Sequence, residues 1–205
     1  MIVNLAHRIL SNEFAYDAFQ TCVGSYKFRR RFLESIKINS DSKILELGCG
    51  TGITLETIQN NDYVGIDLSQ KYLDKAKQRK ESSILVKGDV SIADTYETLS
   101  TTKNDVVLAL ALWHHLDDEQ MIRTLENVHR ISEKGISIFS LDPFVDKKTG
   151  VSAKWVAEND RGKFLRSSAH IKEISEASGF EFSFEISRRE LYIPTNVIKC
   201  VLKKV

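Results

Sequence analysis

The chain has 205 residues, 42% of them hydrophobic and 28% charged, a balance that supports a folded core and excludes wholesale disorder. Its 29 basic and 28 acidic side chains leave a net charge of +1, which gives no electrostatic case for nucleic acid as the main partner. Cys22, Cys49 and Cys200 are too scattered for a metal site or a disulfide framework, and free thiols fit a reducing, cytoplasmic setting.

The first ten residues carry Asn4, His7 and Arg8 among apolar side chains and lack the apolar core and small-residue cleavage site of a signal peptide. Residues 1–40 hold helical patterns, ending in Phe28, Phe32, Leu33 and Ile36, and are expected to form a helical N-terminal lid. The run Arg29-Arg30-Arg31 reads as a solvated helix face. Beyond it, residues 43–47, 63–67, 83–87, 105–112 and 135–141 read as strands. Residues 54–60, 70–80, 92–100 and 118–132 between them read as helices. Uninterrupted apolar strands alternating with helices imply a parallel sheet covered on both faces, doubly wound by right-handed crossovers. The longest apolar run, 106–113, is far too short to span a bilayer, so no membrane insertion is expected.

The end of the chain changes pattern. Residues 142–169 form a long polar insertion, of the kind that often serves as a substrate lid. A helix over 170–178 stops at Gly179. Residues 180–187 and 197–203 are strand-like with no room for a helix between them, so they pair as an antiparallel hairpin. The expected fold is α/β: a doubly wound, Rossmann-like, seven-stranded sheet in an α/β/α sandwich. Five parallel strands and the terminal hairpin make up the sheet, and residues 1–205 form one domain.

The chemistry concentrates in Glu46-Leu47-Gly48-Cys49-Gly50-Thr51-Gly52, where an apolar strand ends in an acid and breaks into alternating glycines. Backbone must approach a ligand closely at such a turn. The following free amides favour an electron-rich group, at the carboxyl edge where open sheets bind ligands. A dinucleotide fingerprint would need glycine where Ile53 stands, which disfavours an NAD-dependent oxidoreductase. The spacing instead resembles the Glu/Asp-x-Gly-x-Gly-x-Gly motif of class I S-adenosylmethionine-dependent methyltransferases. The strand order with its terminal hairpin resembles that family too.

The resemblance implies S-adenosylmethionine as cofactor, S-adenosylhomocysteine as product, and a role for each matched residue. The turn Gly48–Gly52, with Cys49 in it, would wrap the amino-acid half of the cofactor, with Glu46 at the strand end as a further cofactor-binding residue. Asp67, in Gly65-Ile66-Asp67-Leu68-Ser69, would accept both ribose hydroxyls, with Leu68 near the adenine. Asp89 would accept from the adenine amine, and its neighbour Val90 would pack on the ring. Leu110 and Ala111 would lie near the cofactor, and Tyr16 is the best candidate to cover it. At the end of the fourth strand, His114 and His115 are candidates for substrate contact or proton removal, an imidazole being suited to proton transfer near neutrality. At most one of two adjacent histidines faces the methyl group. A catalytically silent cofactor-binding subunit would carry a damaged motif, and this one is intact.

Asp142 stands where substrate must enter, and the insertion adds Trp155, Arg161 and Arg166. Lid arginines can take carboxylate or phosphate bidentately, which suits an anionic acceptor; Arg161 can equally be paired with Glu158 or Asp160. The Asp160-Arg161-Gly162 element resembles a bacterial methyltransferase subgroup associated with surface-polysaccharide genes. No Asn/Asp-Pro-Pro-Tyr motif follows the fourth strand, which weighs against nucleobase methylation. The expectation is a small-molecule methyltransferase, acting on oxygen, with a sugar or polysaccharide precursor as one acceptor class.

Overall fold

The computed structural model describes residues 25–36, 38–58, 62–99, 104–151, 154, 162–188 and 196–205. Seven strands form one sheet in the order β3-β2-β1-β4-β5-β7-β6. The parallel part is β1 (Lys43–Leu47), β2 (Asp62–Asp67), β3 (Ile84–Lys87), β4 (Val106–Leu110) and β5 (Ser137–Phe144). The last strand, β7 (Asn196–Lys204), inserts antiparallel between β5 and β6 (Phe180–Arg188).

The period of two along each strand builds a core on both faces. Leu45 and Leu47 of β1, with Val107 and Ala109 of β4, turn to one face and meet Met121, Leu125 and Val128. Those three belong to the helix Asp118–Ile131, and Ile171 and Ile174 of Ser168–Ala177 join them. Ile44, Leu108 and Leu110 turn to the other face and meet Phe28, Phe32 and Leu33 of α1 (Ser25–Ser35) and Leu73 of α2 (Gln70–Arg79). The longer helices are α3 (Asp118–Ile131) and α4 (Ser168–Ala177). Capping marks their starts: Ser69 accepts from Tyr72 N–H, Asp117 forms a full capping box with Gln120, and Ser167 accepts from His170 N–H.

Three expectations change. The helix expected over 54–60 is a 3-10 turn, Ile53–Glu56, because Thr54 is drawn inward by a hydroxyl bond to Glu46. The helix expected over 92–100 is also 3-10, Ala93–Leu99, tied to the end of β3 through Thr95 to the Asp89 carbonyl and Tyr96 to the Val90 carbonyl. The insertion expected from 142 starts later, since β5 runs on to Phe144. β4 pairs with β5 only as far as Leu141, and Pro143 lies beyond that point opposite Val197 of β7. A residue without an N–H is tolerated where one neighbour is missing. Among the described residues no helix is long and apolar enough to cross a membrane.

Candidate functional site

A cleft of about 310 Å³ opens at the carboxyl ends of β1, β2, β3 and β4, within the range of small-ligand sites. The glycine turn forms its floor. Gly48, Gly50 and Gly52 have φ of 65°, 54° and 71°, the left-handed region where a side chain is strained. Gly52 has a second reason: a Cβ there would sit 2.7 Å from the Cβ and 3.0 Å from the Cα of Ala76, so glycine lets the turn seat on α2. The Asp67 carboxylate braces the same turn from β2, accepting from Gly50 N–H and Ser69 N–H, each at 2.8 Å. Burial pushes the Asp67 carboxyl up, and the two amides pull it back.

Of the residues expected at the cofactor, Gly48, Cys49, Gly50, Asp67, Leu68, Asp89, Val90 and Leu110 line this cleft. Asp89 is held by Ser91, which donates both its N–H and its hydroxyl to one carboxylate oxygen at 2.8 Å. Leu68 is 67% exposed and Val90 5%, an open and a closed apolar surface on the two sides. Tyr16 lies outside the described residues.

Glu46 is placed differently from the expectation. It is fully buried under the turn and not in the cleft wall, accepting from Thr54 Oγ1 at 2.8 Å and Tyr63 Oη at 2.5 Å. Strand alternation turns it to the α1/α2 face with Ile44. Burial pushes its carboxyl to about 6, against the pull of Arg29 and the two hydroxyls. Because the folded value lies above the ordinary 4.5, the folded chain holds a proton between those pH values that the unfolded chain releases. Glu46 therefore costs nothing below that window, and its cost grows to about 2 kcal/mol as pH rises through it. Glu46→Gln is expected to be more stable than wild type at pH 7.5 by up to that amount and equal to it near pH 4.5. Urea unfolding at the two pH values measures this, and an advantage independent of pH would count against it.

At the end of β4 the backbone turns sharply. Ala111, at φ 60°, is the one non-glycine residue with positive φ among the described residues, and its N–H donates to the Leu141 carbonyl at 2.6 Å. Such strain often accompanies a ligand site. The 3-10 turn Trp113–His115 then sends the two histidines apart. His115 is exposed and lines the cleft; His114 is 3% exposed and does not. His114 Nδ1 lies 2.7 Å from Asp142 Oδ1, and its backbone N–H donates to the same oxygen at 3.2 Å. Where Asp142 is ionised it can only accept, and the Nδ1 proton is then on His114. Burial pushes the Asp142 carboxyl up while His114 draws it down. The two imidazoles lie against each other, their centroids 4.1 Å apart and their planes tilted by 40°.

The segment from Gly162 straps this turn down. A Cβ on Gly162 would lie 1.8 Å from the His114 ring, so only glycine fits there. Phe164 N–H donates to the His114 carbonyl at 3.0 Å. Arg166, expected to meet an acceptor, is instead spent inside the protein. Its Nη1 and Nη2 donate to the Trp113 and Leu116 carbonyls at 2.7 and 2.6 Å, and its Nε to Asp118 at 2.7 Å. Asp142 likewise holds His114 and is absent from the cleft wall. Trp155 and Arg161 lie outside the described residues.

The sequence reading missed several cleft residues, among them Tyr26 and Arg29 of α1, Tyr72 of α2 and Gln120 of α3. The signal was present: Arg29 precedes Phe32 by three residues and Leu33 by four, which places it on the inward face of that helix. Arg30 and Arg31 are exposed, as expected of a solvated face.

Residues 44–135 match the family described as Methyltransferase domain. Over 108 residues, 50% of this chain, the sequence is 34% identical to malonyl-[acyl-carrier protein] O-methyltransferase of Bacillus anthracis, of which the match spans 38%. A second curated relative, from Oceanobacillus iheyensis, is spanned to 55% of its length, so the chain covers less than two thirds of both. An S-adenosylmethionine-dependent methyltransferase from Archaeoglobus fulgidus has a TM-score of 0.69 at 17% identity, with 92% of this chain and 99% of that one covered. Human N-acetylserotonin methyltransferase in complex with S-adenosylmethionine has a TM-score of 0.70 at 16% identity, with 96% and 57% covered. At such identities the structural likeness carries the fold.

Proposed function

We propose that the chain is a class I S-adenosylmethionine-dependent methyltransferase that methylates a hydroxyl oxygen of a small-molecule acceptor, with His115 as the base. The observation that carries this reading is the exposed imidazole of His115 in the wall of the same cleft as Asp67 and Asp89. S-adenosylmethionine supplies an electrophilic methyl group on a sulfonium. The residues present suit it. Each Asp67 oxygen uses one lone pair on a backbone amide and has another for a ribose hydroxyl. Asp89 supplies an acceptor and Val90 an apolar wall for the adenine.

The chain's own work is positioning and proton removal. Holding the acceptor in line with the methyl group can lower a barrier by roughly 7–11 kcal/mol in favourable intramolecular cases. A hydroxyl is a poor nucleophile while it keeps its proton, and His115 would take that proton as the new C–O bond forms and the S–CH3 bond breaks, S-adenosylhomocysteine being the leaving group. The Asp142–His114 pair supports His115 from behind, through ring contact. Residues 1–40, and the insertion expected over 142–169, act as lids that exclude water. The printed activity of the Bacillus relative, an O-methyltransferase, agrees with an oxygen acceptor. The subgroup resemblance makes sugar and polysaccharide precursors the first acceptors to screen, and a cytoplasmic enzyme would meet them as soluble precursors.

Titration calorimetry with S-adenosylhomocysteine and, in parallel, NADH tests the cofactor; binding of NADH alone would overturn the reading. His115→Ala is expected to cut methyl transfer to a hydroxyl acceptor by about 100-fold or more and to leave S-adenosylhomocysteine affinity unchanged. Radiolabelled methyl transfer reads the first and calorimetry the second. Full activity in His115→Ala would remove the base assignment.

A further inference from the structure

The acid behind the histidine turn carries a charge that its shape does not require. Asp142 of β5 is 4% exposed; its Oδ1 accepts the backbone N–H of His114 at 3.2 Å and lies 2.7 Å from His114 Nδ1. Its Oδ2 is also buried and has no hydrogen-bond partner among the described residues. No described Lys or Arg forms an ion pair with it. Arg166 acts on it only at a distance, its donors being committed to Trp113, Leu116, Phe164 and Asp118. On β7 the group that senses it is the Cys200 thiol, pushed up to about 12 by burial and so uncharged. An asparagine oxygen would accept the same two bonds and hold the His114 ring in place. A buried carboxylate without a cation is costly, so holding the ring gives no reason for the charge. The reason lies on the far side of His114. There the His115 ring rests, centroids 4.1 Å apart, and of the two rings it is His115 that lines the cleft. His114 cannot swing away, because Gly162 closes on its ring and Phe164 N–H holds its carbonyl at 3.0 Å.

We propose that Asp142 is a positioning residue whose charge, acting through His114, strengthens His115 as a base and steadies the imidazolium that His115 becomes on taking the acceptor's proton. The inference rests on the reading of His115 as the base and adds what makes that base effective. An opposite charge nearby favours the charged form of an imidazole, and away from bulk water it acts across more than one ring. Burial opposes ionisation of Asp142, while the two His114 donors and the Arg166 charge favour it. Beyond Arg166 stand Asp118 and His170. The cleft wall that His115 shares also carries Asp67, Asp89 and Arg29. None of these changes when Asp142 becomes asparagine, so a difference between the two proteins reads Asp142 alone. The sign is fixed: removing a negative charge lowers the pH at which His115 takes its proton.

The test is an NMR titration of the imidazole protons in wild type and Asp142→Asn, with the His115 signal assigned by its loss in His115→Ala. No acceptor is needed. The His115 midpoint is expected to fall by about 0.5–1 pH unit in Asp142→Asn, while the exposed His170 serves as the control and stays within about 0.2 unit. Tm is expected to stay within about 4 °C of wild type, and calorimetry to give S-adenosylhomocysteine affinity within about 3-fold. With a hydroxyl acceptor, kcat of Asp142→Asn is expected to fall roughly 10- to 100-fold with little change in KM. An unmoved His115 midpoint overturns the inference. So does a midpoint that moves together with that of His170, or a loss of Tm by about 10 °C with no shift, which would make Asp142 a structural residue only. Full transfer by His115→Ala sinks the base reading instead, and wild type that does not bind S-adenosylhomocysteine sinks the methyltransferase reading; both are distinct from a failure of Asp142 to act.

Discussion

Asp67→Ala is expected to weaken S-adenosylhomocysteine binding by about 100-fold or more while the protein stays folded. One carboxylate serves two purposes here. It ties Gly50 N–H and Ser69 N–H at 2.8 Å each, so the glycine turn and the start of α2 are set by it before any ligand arrives. Its remaining lone pairs are the acceptors assigned to the ribose. A hydrogen bond to a charged group is worth about 1.5–3 kcal/mol, so losing one ligand contact and loosening the turn together reach about 3 kcal/mol, or roughly two decades in Kd. The fold tolerates the change because burial already raises the Asp67 carboxyl, so its charge is no net stabiliser of the folded chain. Asp67→Asn keeps the shape but turns a donor toward one of two backbone donors, and it falls between wild type and alanine. Calorimetry with a parallel thermal melt decides; undiminished affinity in Asp67→Ala would show that the ribose is held elsewhere.

Arg166→Met is expected to destabilise the protein by about 3–5 kcal/mol, the usual cost of breaking a buried charged network by removing one partner. The energy resides in backbone carbonyls more than in the ion pair. Arg166 is 8% exposed and donates to the carbonyls of Trp113 and Leu116; without it Leu116 loses that donor, while Trp113 keeps only the Leu116 N–H at 3.2 Å. Each orphaned buried carbonyl costs about 1–3 kcal/mol. Asp118, by contrast, is 55% exposed on its side chain and also meets His170, so the pair itself contributes little. Asp118→Asn is therefore expected to cost under about 1 kcal/mol, while Arg166→Met lowers Tm by roughly 10 °C at the 2–4 °C per kcal/mol typical of this size. Chemical denaturation of the two variants side by side gives the comparison. Equal losses would place the energy in the salt bridge, and no loss in Arg166→Met would mean that the strap over the histidine turn is not anchored by it.

The two experiments divide the site along a line already visible in the amino-acid order. Much of what a strand and the turn after it carry was legible: β1 ends where the apolar run ends, Gly48, Gly50 and Gly52 occupy left-handed backbone, and Asp67 and Asp89 stand at the cleft. These features are local. A period of two, a stop at glycine and an acid at the strand terminus each follow from a few consecutive residues. The antiparallel close of the sheet was legible for the same reason, since the gap between β6 and β7 is too short for a crossover.

What sequence order left undetermined depends on groups far apart in the chain. The order His114-His115 names two imidazoles and does not say which is withdrawn. Asp142 of β5, 28 residues on, makes that choice by taking His114 into the interior, and Gly162 closes over it. Arg166 has the composition of an anion site, yet carbonyls 50 and 53 residues earlier consume its donors. Glu46 fits the motif for a cofactor acid, but its partners Thr54 and Tyr63 lie across the strand from the cleft. Arg29 looked like one of three solvated charges until α1 was laid on the sheet. The sequence by itself determined the sheet, its glycine turn and the acids along its edge, because those rest on the conformational preferences of neighbouring residues. Only the tertiary structure decided which charged and imidazole groups face the cleft, because a buried polar group goes wherever distant partners can satisfy it.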